Sequence, residues 1–179
     1  MNTLENYYKK VIKLDLMNKF LYYHVKDLPK LKQIILNFGC RNSDLRKLSS
    51  SLLSLELVTF RSNITVTTSS KSNIFIKVRK GQPVGCKVIL EKGAMYNFFL
   101  KLLNEVFPVL KDFKGFKKRD MRNFGNFSFT LTDLIYFNEL EVHFYLFNNL
   151  PKLNVTFVTT SQTEKELIYL MSSFKFPFI

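Results

Sequence analysis

Two adjoining patterns of different period, between residues 84 and 106, constrain the fold of this chain more than any other feature. In "VGCKVIL", Val84 to Leu90, apolar residues recur at every second position, which predicts a strand with one covered face. The apolar residues that follow recur at helical spacing, and they are Met95, Phe98, Phe99, Leu102, Leu103 and Val106. Pro108 is predicted to end this helix. A strand followed directly by an amphipathic helix indicates a sheet that helices cover.

The same spacing predicts three further helices. The first spans about residues 3–20, with its apolar side formed by Leu4, Tyr7, Tyr8, Val11 and Leu14. The second begins at an N-cap, either Ser43 or Asp44, and its apolar stripe is Leu45, Leu48, Leu52 and Leu55. The last begins with the capping box Thr163-x-x-Glu166, and its apolar side is Leu167, Leu170, Met171 and Phe174.

Six other segments have the composition of β-strands, and turn residues separate them. In "LPKLKQIILNFG", Ile34, Leu36 and Phe38 share one side of a strand that ends at Gly39. The other predicted strands are "NITVTT", "IFIKVRK", "NFSFTL", "VHFYLF" and "LNVTFVTT". A Gly-Gln-Pro turn is predicted to join "IFIKVRK" to "VGCKVIL".

This order of elements predicts an α+β fold. We expect an antiparallel or mixed β-sheet with helices packed on one face and the other face open for RNA, as in an RRM or ferredoxin-like variant. Residues 1–179 are predicted to form a single domain, with the central sheet and helices in residues 30–179. Alternation directs Cys86 toward the helices, and it directs Lys77, Arg79 and Lys87 to the open face.

The net charge favours a polyanionic partner. The chain has 27 Lys and Arg against 14 Asp and Glu, which gives a formal charge of +13. Solubility alone needs a net charge of only about 2–8, so the excess points to phosphates. The sequence leaves two alternatives open: a basic RNA-binding module, or a peripheral protein of anionic membranes.

The sequence predicts neither an enzyme nor a cofactor nor a metal site. Its two histidines, His24 and His143, lie far apart, and no phosphate-binding glycine loop or nucleophile motif is present. Cys40 and Cys86 do not form a metal-type or redox pair, which fits a reducing compartment.

Several motifs occur together in a characteristic order: "LPKLKQIILNFG", "GQPVGCKVIL", "DFKG", "GNFSFTLTDLIYF" and the ending "FKFPF". In this order they resemble the universal 5S-rRNA-binding family, the fifth protein of the large ribosomal subunit, in its bacterial and mitochondrial form. The resemblance implies a structural protein of the central protuberance that binds 5S rRNA and large-subunit rRNA. It also implies contact with P-site tRNA and an intersubunit bridge to a small-subunit head protein.

The resemblance also implies which residues make these contacts. Residues expected to bind rRNA are Lys32, Asn37, Ser62, Arg79, Lys80, Gly85 and Lys87. Residues expected to lie in a loop near the tRNA are Lys71, Ser72 and Lys77. Residues expected to make bridge or loop contacts are Lys114, Lys117, Lys118, Arg119 and Arg122.

Some positions depart from the family pattern. Thr68 and Ser70 replace cations in the tRNA-proximal loop, and Ser62 and Ile89 replace polar rRNA contacts. Phe124 stands where the family has Arg, so an exposed Phe124 is expected to face another protein.

Composition bears on the location of the protein. Alanine is almost absent, whereas Phe, Asn, Lys, Ile and Leu are abundant, as in proteins encoded by AT-rich genomes. The family pattern begins almost at Met1, which predicts that no presequence is cleaved. We therefore expect an organelle-encoded protein of the mitochondrial matrix, in the mitochondrial ribosome. The cytoplasm of an AT-rich bacterium is the alternative.

Overall fold

A five-stranded antiparallel sheet is the centre of the fold. The computed structural model describes residues 3–40, 44–75, 77–111, 113–117 and 125–179. The strands are β1 (Leu31–Gly39), β2 (Thr65–Thr68), β3 (Pro83–Glu91), β4 (Asn126–Leu131) and β5 (Leu153–Thr159). Their order in the sheet is β2-β3-β1-β5-β4. The predicted α+β class is confirmed.

Six helices accompany the strands in the described part of the chain. Two of them contain a wider π-helical segment. Helix α1 consists of Thr3–Tyr7, the π segment Tyr8–Ile12, and Lys13–Lys19. Helix α3 consists of Lys92–Lys101, the π segment Leu102–Val106, and Phe107–Val109. The others are α2 (Leu45–Thr59), α4 (Asn138–Glu141), α5 (Phe144–Phe147) and α6 (Glu164–Ser173). A short 3-10 turn spans Val25–Asp27.

The chain divides into two compact units. Unit 1 comprises Met1–Ile34, Glu91–Ser128 and Thr156–Ile179, and unit 2 comprises Ile35–Leu90 and Phe129–Val155. Strands β1, β4 and β5 each contribute residues to both units. That the whole chain is one domain remains a prediction.

Aromatic packing forms the core of unit 1. Phe176 is 4% exposed, and its ring centroid lies 5.0–6.1 Å from those of six other phenylalanines, which are Phe99, Phe107, Phe116, Phe127, Phe157 and Phe178. Phe99 on α3 packs edge-on against Phe157 on β5, so α3 covers this side of the strand. On the opposite side of the strands, Ser128 and Thr156 are joined by a hydroxyl hydrogen bond of 2.9 Å.

Unit 2 follows the alternation that the sequence predicted. Leu36 and Phe38 of β1 and Cys86 and Val88 of β3 are buried, whereas Lys87 between the latter two is exposed. Helix α2 lies on the buried side, where the Sγ of Cys40 is 3.9 Å from the Oγ of Ser51. Helices therefore cover one face of these strands, and the other carries Asn37 and Lys87 together with Ile35 and the half-exposed Ile89.

Both predicted N-caps are present. The Asp44 carboxylate accepts a hydrogen bond from the backbone N–H of Arg46 at the start of α2, so Asp44 is the cap, and Ser43 lies outside the described residues. The Thr163 hydroxyl accepts a bond from the N–H of Glu166, whose carboxylate in turn accepts from the N–H of Thr163. Leu45, the first predicted apolar residue of α2, is 70% exposed.

The predicted apolar side of α1 is only partly right, because Leu4 and Tyr8 are partly covered but the two fully buried residues were not predicted. Ile12 and Leu16 are fully buried and Tyr8 is half-buried, whereas Val11 and Leu14 are exposed. The three covered residues recur at steps of four, on a helix with apolar side chains on several sides. Tyr8 fixes this orientation, because its hydroxyl donates to the carbonyl of Pro29 and its ring stacks on Phe174.

Two predicted strands are wrong. The described residues of "IFIKVRK" form a turn instead, because the Asn73 side chain accepts a bond from the N–H of Phe75 and Asn73 bridges Val78. Lys77 in this turn has a positive φ of 55°. The segment "VHFYLF" is largely helical, as α5, with its buried Phe147 seven residues after buried Leu140. A short apolar run does not by itself distinguish a helix from a strand.

Candidate nucleic-acid interface

Strands β2, β3 and β1 of unit 2 present a polar row on the uncovered face. Thr65 of β2 pairs with Lys87 of β3, and its hydroxyl donates to the Lys87 carbonyl at 3.2 Å. The N–H of Cys40, just after β1, donates to the carbonyl of Val84 on β3. In an antiparallel pair this bond sets the register of the two strands, so Asn37 of β1 lies opposite Lys87 of β3. The row therefore combines a hydroxyl, an ammonium and an amide, which are groups that bind phosphate and ribose oxygens.

Gly85 lies next to this row but is buried, and packing explains why glycine stands there. A Cβ atom at this position would be 2.3 Å from the carbonyl oxygen of Phe38 and 2.9 Å from the Thr67 hydroxyl. Any side chain would therefore push β3 away from β1 and β2. A contact between Gly85 and RNA remains a prediction.

Most of the predicted cations of unit 2 lie in the connection between β2 and β3. Lys71, Lys77, Arg79 and Lys80 are all exposed there, together with Ser72. Lys77 and Arg79 do not share the sheet face with Lys87, because the strand predicted for them is a turn. The sequence prediction therefore placed too much of the positive charge on the sheet.

Backbone hydrogen bonds hold this connection together. The N–H of Ser69 donates to the Gln82 carbonyl, and the N–H of Gly81 donates to the Ser69 carbonyl. Gly81 has a φ of 86°, which only glycine adopts readily, as the predicted turn requires. Phe75 near the tip is fully exposed. Its side chain is a candidate for stacking on a base, and sequence patterns alone do not separate such a residue from a core phenylalanine.

The other predicted RNA-contact residues lie apart from the row. Lys32 is exposed near the start of β1, but it is two residues before buried Ile34 and so has the register of the covered face. Ser62 is exposed before β2, and its carbonyl accepts a bond from the N–H of Ile64.

The predicted bridge residues belong to unit 1. Lys114 and Lys117 are exposed on either side of Gly115 and Phe116, and Phe116 packs against Phe107 and Phe176. Lys118, Arg119 and Arg122 lie outside the described residues, as does Phe124.

Behind Lys87, the thiol of Cys86 is shielded from water. Burial, and secondarily the nearby Cys40, raises the pKa of the Cys86 thiol from 9.0 to about 12. Both cysteines are buried free thiols. The folded protein therefore keeps Cys86 protonated at pH values where an unfolded chain would release the proton.

This shift predicts a loss of stability in alkali. Between about pH 9 and pH 12 the unfolded thiol is ionised and the folded thiol is not, so the free energy of unfolding should fall with rising pH. One such proton contributes at most roughly 1.4 kcal/mol per pH unit. Urea denaturation of the wild type and of Cys86→Ala at pH 8, 9.5 and 10.5 measures this. The substitution should flatten the pH dependence, and identical slopes would contradict the assignment.

His24 and His143 are both exposed. Within the ranges that the structure describes, no group of three or more His, Cys, Asp or Glu residues could hold a metal ion. No helix in those ranges is long and apolar enough to cross a membrane.

Comparison with known proteins decides the family. A family pattern that describes the C-terminal part of the ribosomal protein L5 family matches residues 83–178. The large ribosomal subunit protein uL5m of Reclinomonas americana is 37% identical over 179 residues, covering 99% of this chain and 98% of that protein. The uL5 proteins of Nitrosomonas europaea and Borrelia garinii are 34% and 35% identical, each over at least 96% of both chains. The chain belongs to the ribosomal protein L5 family.

Membership of the L5 family confirms the predicted resemblance over the full length of the chain. It makes the chain a ribosomal protein and not an enzyme, as the sequence predicted. In the L5 pattern, the matched region begins at Pro83 and therefore includes Gly85, Cys86 and Lys87. The contacts assigned to individual residues remain predictions.

Proposed function

We propose that this L5-family protein binds 5S rRNA and large-subunit rRNA in the central protuberance of the large ribosomal subunit. The sheet face of unit 2 is the RNA surface in this proposal. Asn37 and Lys87 bond the sugar-phosphate backbone, and further contacts come from Ser62 before β2 and from Arg79 and Lys80 before β3. Lys32 and Gly85 are weaker candidates because of their register and burial.

The observation that carries the proposal is the row formed by Thr65, Lys87 and Asn37. Helices cover only the opposite side of these strands, so the row is accessible to a large ligand. The net charge of +13 provides long-range attraction to RNA. The relatives are named as proteins of the large ribosomal subunit, which supports an rRNA ligand.

Two further partners complete the proposal. The connection between β2 and β3 approaches P-site tRNA through Lys71, Ser72 and Lys77, with Phe75 exposed near the tip. The segment 114–122 contacts a small-subunit head protein, and Lys114 and Lys117 are its described cations. Lys118, Arg119 and Arg122 belong to the same proposed contact.

The proposed location is the mitochondrial ribosome. The uL5m relative and the composition typical of AT-rich genomes support it. Bacterial relatives of similar identity make the cytoplasm of an AT-rich bacterium the alternative.

Ultraviolet crosslinking in purified large subunits tests the proposal. Peptides that contain Asn37 and Lys87 are expected to carry nucleotides of 5S rRNA, because their side chains lie on the uncovered sheet face. Peptides from α6, on the helical side of unit 1, serve as the internal control and should carry none. Crosslinks from α6 alone, or peptides with Asn37 and Lys87 that carry no large-subunit RNA, would refute the proposed surface.

A further inference from the structure

An open groove of about 890 Å³ lies within unit 2. Its lining includes Gly39 at the end of β1, Thr130 on β4 and Asn154 on β5. These three residues have the register of the uncovered sheet face, because Phe38, Leu131, Leu153 and Val155 next to them are buried. Gly39 is two residues after Asn37, and the groove also reaches the buried Cys40 and the exposed Lys47 of α2, so it lies at the strand ends, where the proposed RNA surface ends.

The groove is lined with donors for a polyanion. Lys47, in the first turn of α2, and Lys152, just before β5, both line it and are exposed. None of the described residues that line it is acidic. The two lysines, without a described acidic neighbour in the lining, favour phosphate as the occupant, while Leu150 and Pro151 offer apolar surface beside them.

The amides in the groove can bond to a base or a ribose. The Thr130 hydroxyl donates to the Oδ1 of Asn154 at 2.9 Å. Because the amide oxygen accepts this bond, the amide nitrogen is the atom that can donate to a ligand. Asn149 adds a second amide, and Pro151 an apolar surface. The volume falls within the range of about 300–1,000 Å³ of small-ligand sites, which accommodates a nucleotide.

We propose that this groove binds an unpaired nucleotide of the rRNA that lies on the adjoining sheet face. Lys47 and Lys152 neutralise its phosphates, and Asn149 and Asn154 bond its base or ribose. RNA loops and bulges provide such splayed nucleotides, whereas a regular RNA helix does not. The inference rests on the proposed rRNA-binding function and adds a second, single-stranded contact to it.

Charge-neutralising variants test the phosphate contacts. The double variant Lys47→Gln with Lys152→Gln is expected to weaken binding of extracted large-subunit rRNA, 5S rRNA included, about tenfold at 0.1 M salt. The slope of log affinity against log salt should become less steep by about 1.4, because two phosphate contacts to a single strand are lost. The control, Lys26→Gln with Lys165→Gln, removes the same charge from exposed positions of unit 1 and should change affinity less than twofold.

A second readout tests the nucleotide itself. Dimethyl sulfate modifies the Watson–Crick edges of unpaired adenines and cytosines, and bound wild-type protein is expected to protect at least one of them. Asn149→Ala with Asn154→Ala should restore its modification without loss of the rest of the footprint. The inference is overturned if the protection is unchanged in this asparagine variant. It is also overturned if Lys47→Gln with Lys152→Gln binds rRNA as tightly as its control. If Lys87→Glu still weakens binding in that case, the proposed function stands, and if it does not, both fail.

Discussion

Lys87→Glu is expected to weaken binding of 5S rRNA about tenfold at 0.1 M salt, a loss of roughly 1.4 kcal/mol. The side chain stands on the uncovered face between Thr65 and Asn37, and its neighbours on β3, Cys86 and Val88, point into the core. Charge reversal removes a phosphate contact and adds repulsion. The slope of log affinity against log salt should therefore fall by about 1 or more.

A matched charge reversal separates this local contact from the effect of net charge. Lys165→Glu, on the exposed side of α6 in unit 1, changes the total charge by the same amount. It should shift affinity far less than Lys87→Glu. Filter binding across 50–300 mM salt measures both variants. Equal losses would mean that RNA responds only to total charge, and an RNA affinity insensitive to salt would contradict the proposed surface.

Phe176→Ala is expected to lower the free energy of unfolding by about 3–5 kcal/mol. Its ring is buried and contacts rings from α3, β4 and β5, so its removal leaves a cavity that rigid aromatic neighbours cannot fill. For a protein of ordinary stability this is a large fraction of the total.

The control for this prediction is Phe75→Ala, which removes an equally large ring from a fully exposed position. It should change the free energy of unfolding by less than about 0.5 kcal/mol. Urea denaturation followed by circular dichroism measures both. A loss below about 2 kcal/mol for Phe176→Ala would show that the aromatic cluster relaxes around the cavity, against the packing described.

The strands with a covered face could be predicted from the sequence because burial imposes a period of two. In β3 the alternation of Cys86, Lys87 and Val88 is the same in the sequence and in the structure. The C-terminal helix was equally predictable, because the Thr163 capping box is a local signal. In both cases the residues that determine the element lie close together in the sequence.

Elements that depend on distant partners could not be predicted in the same way. The covered side of α1 is set by Tyr8, which meets Pro29 and Phe174 far along the chain. Apolar residues occupy several sides of that helix, so spacing alone did not select one. The turn at Asn73 was missed because "IFIKVRK" has β-branched residues typical of a strand.

The candidate site shows the same division. Lys87 and Asn37 were predicted, through alternation and through the family resemblance respectively. The groove next to them was missed, because Lys47 is about a hundred residues from the loop that contains Asn149 and Lys152. Strand alternation does put Asn154 on the uncovered face, but it gives no sign that a helix start and a loop approach it.

The stacking of Tyr8 on Phe174 has a consequence for biosynthesis. Helix α1 leaves the exit tunnel long before Phe174 does, so Ile12 and Leu16 stay exposed to water until the residues in between have been synthesised. Contacts this distant in sequence form slowly. Until then the apolar side of α1 is accessible to chaperones. We therefore expect unit 1 to complete its folding late in translation or afterwards.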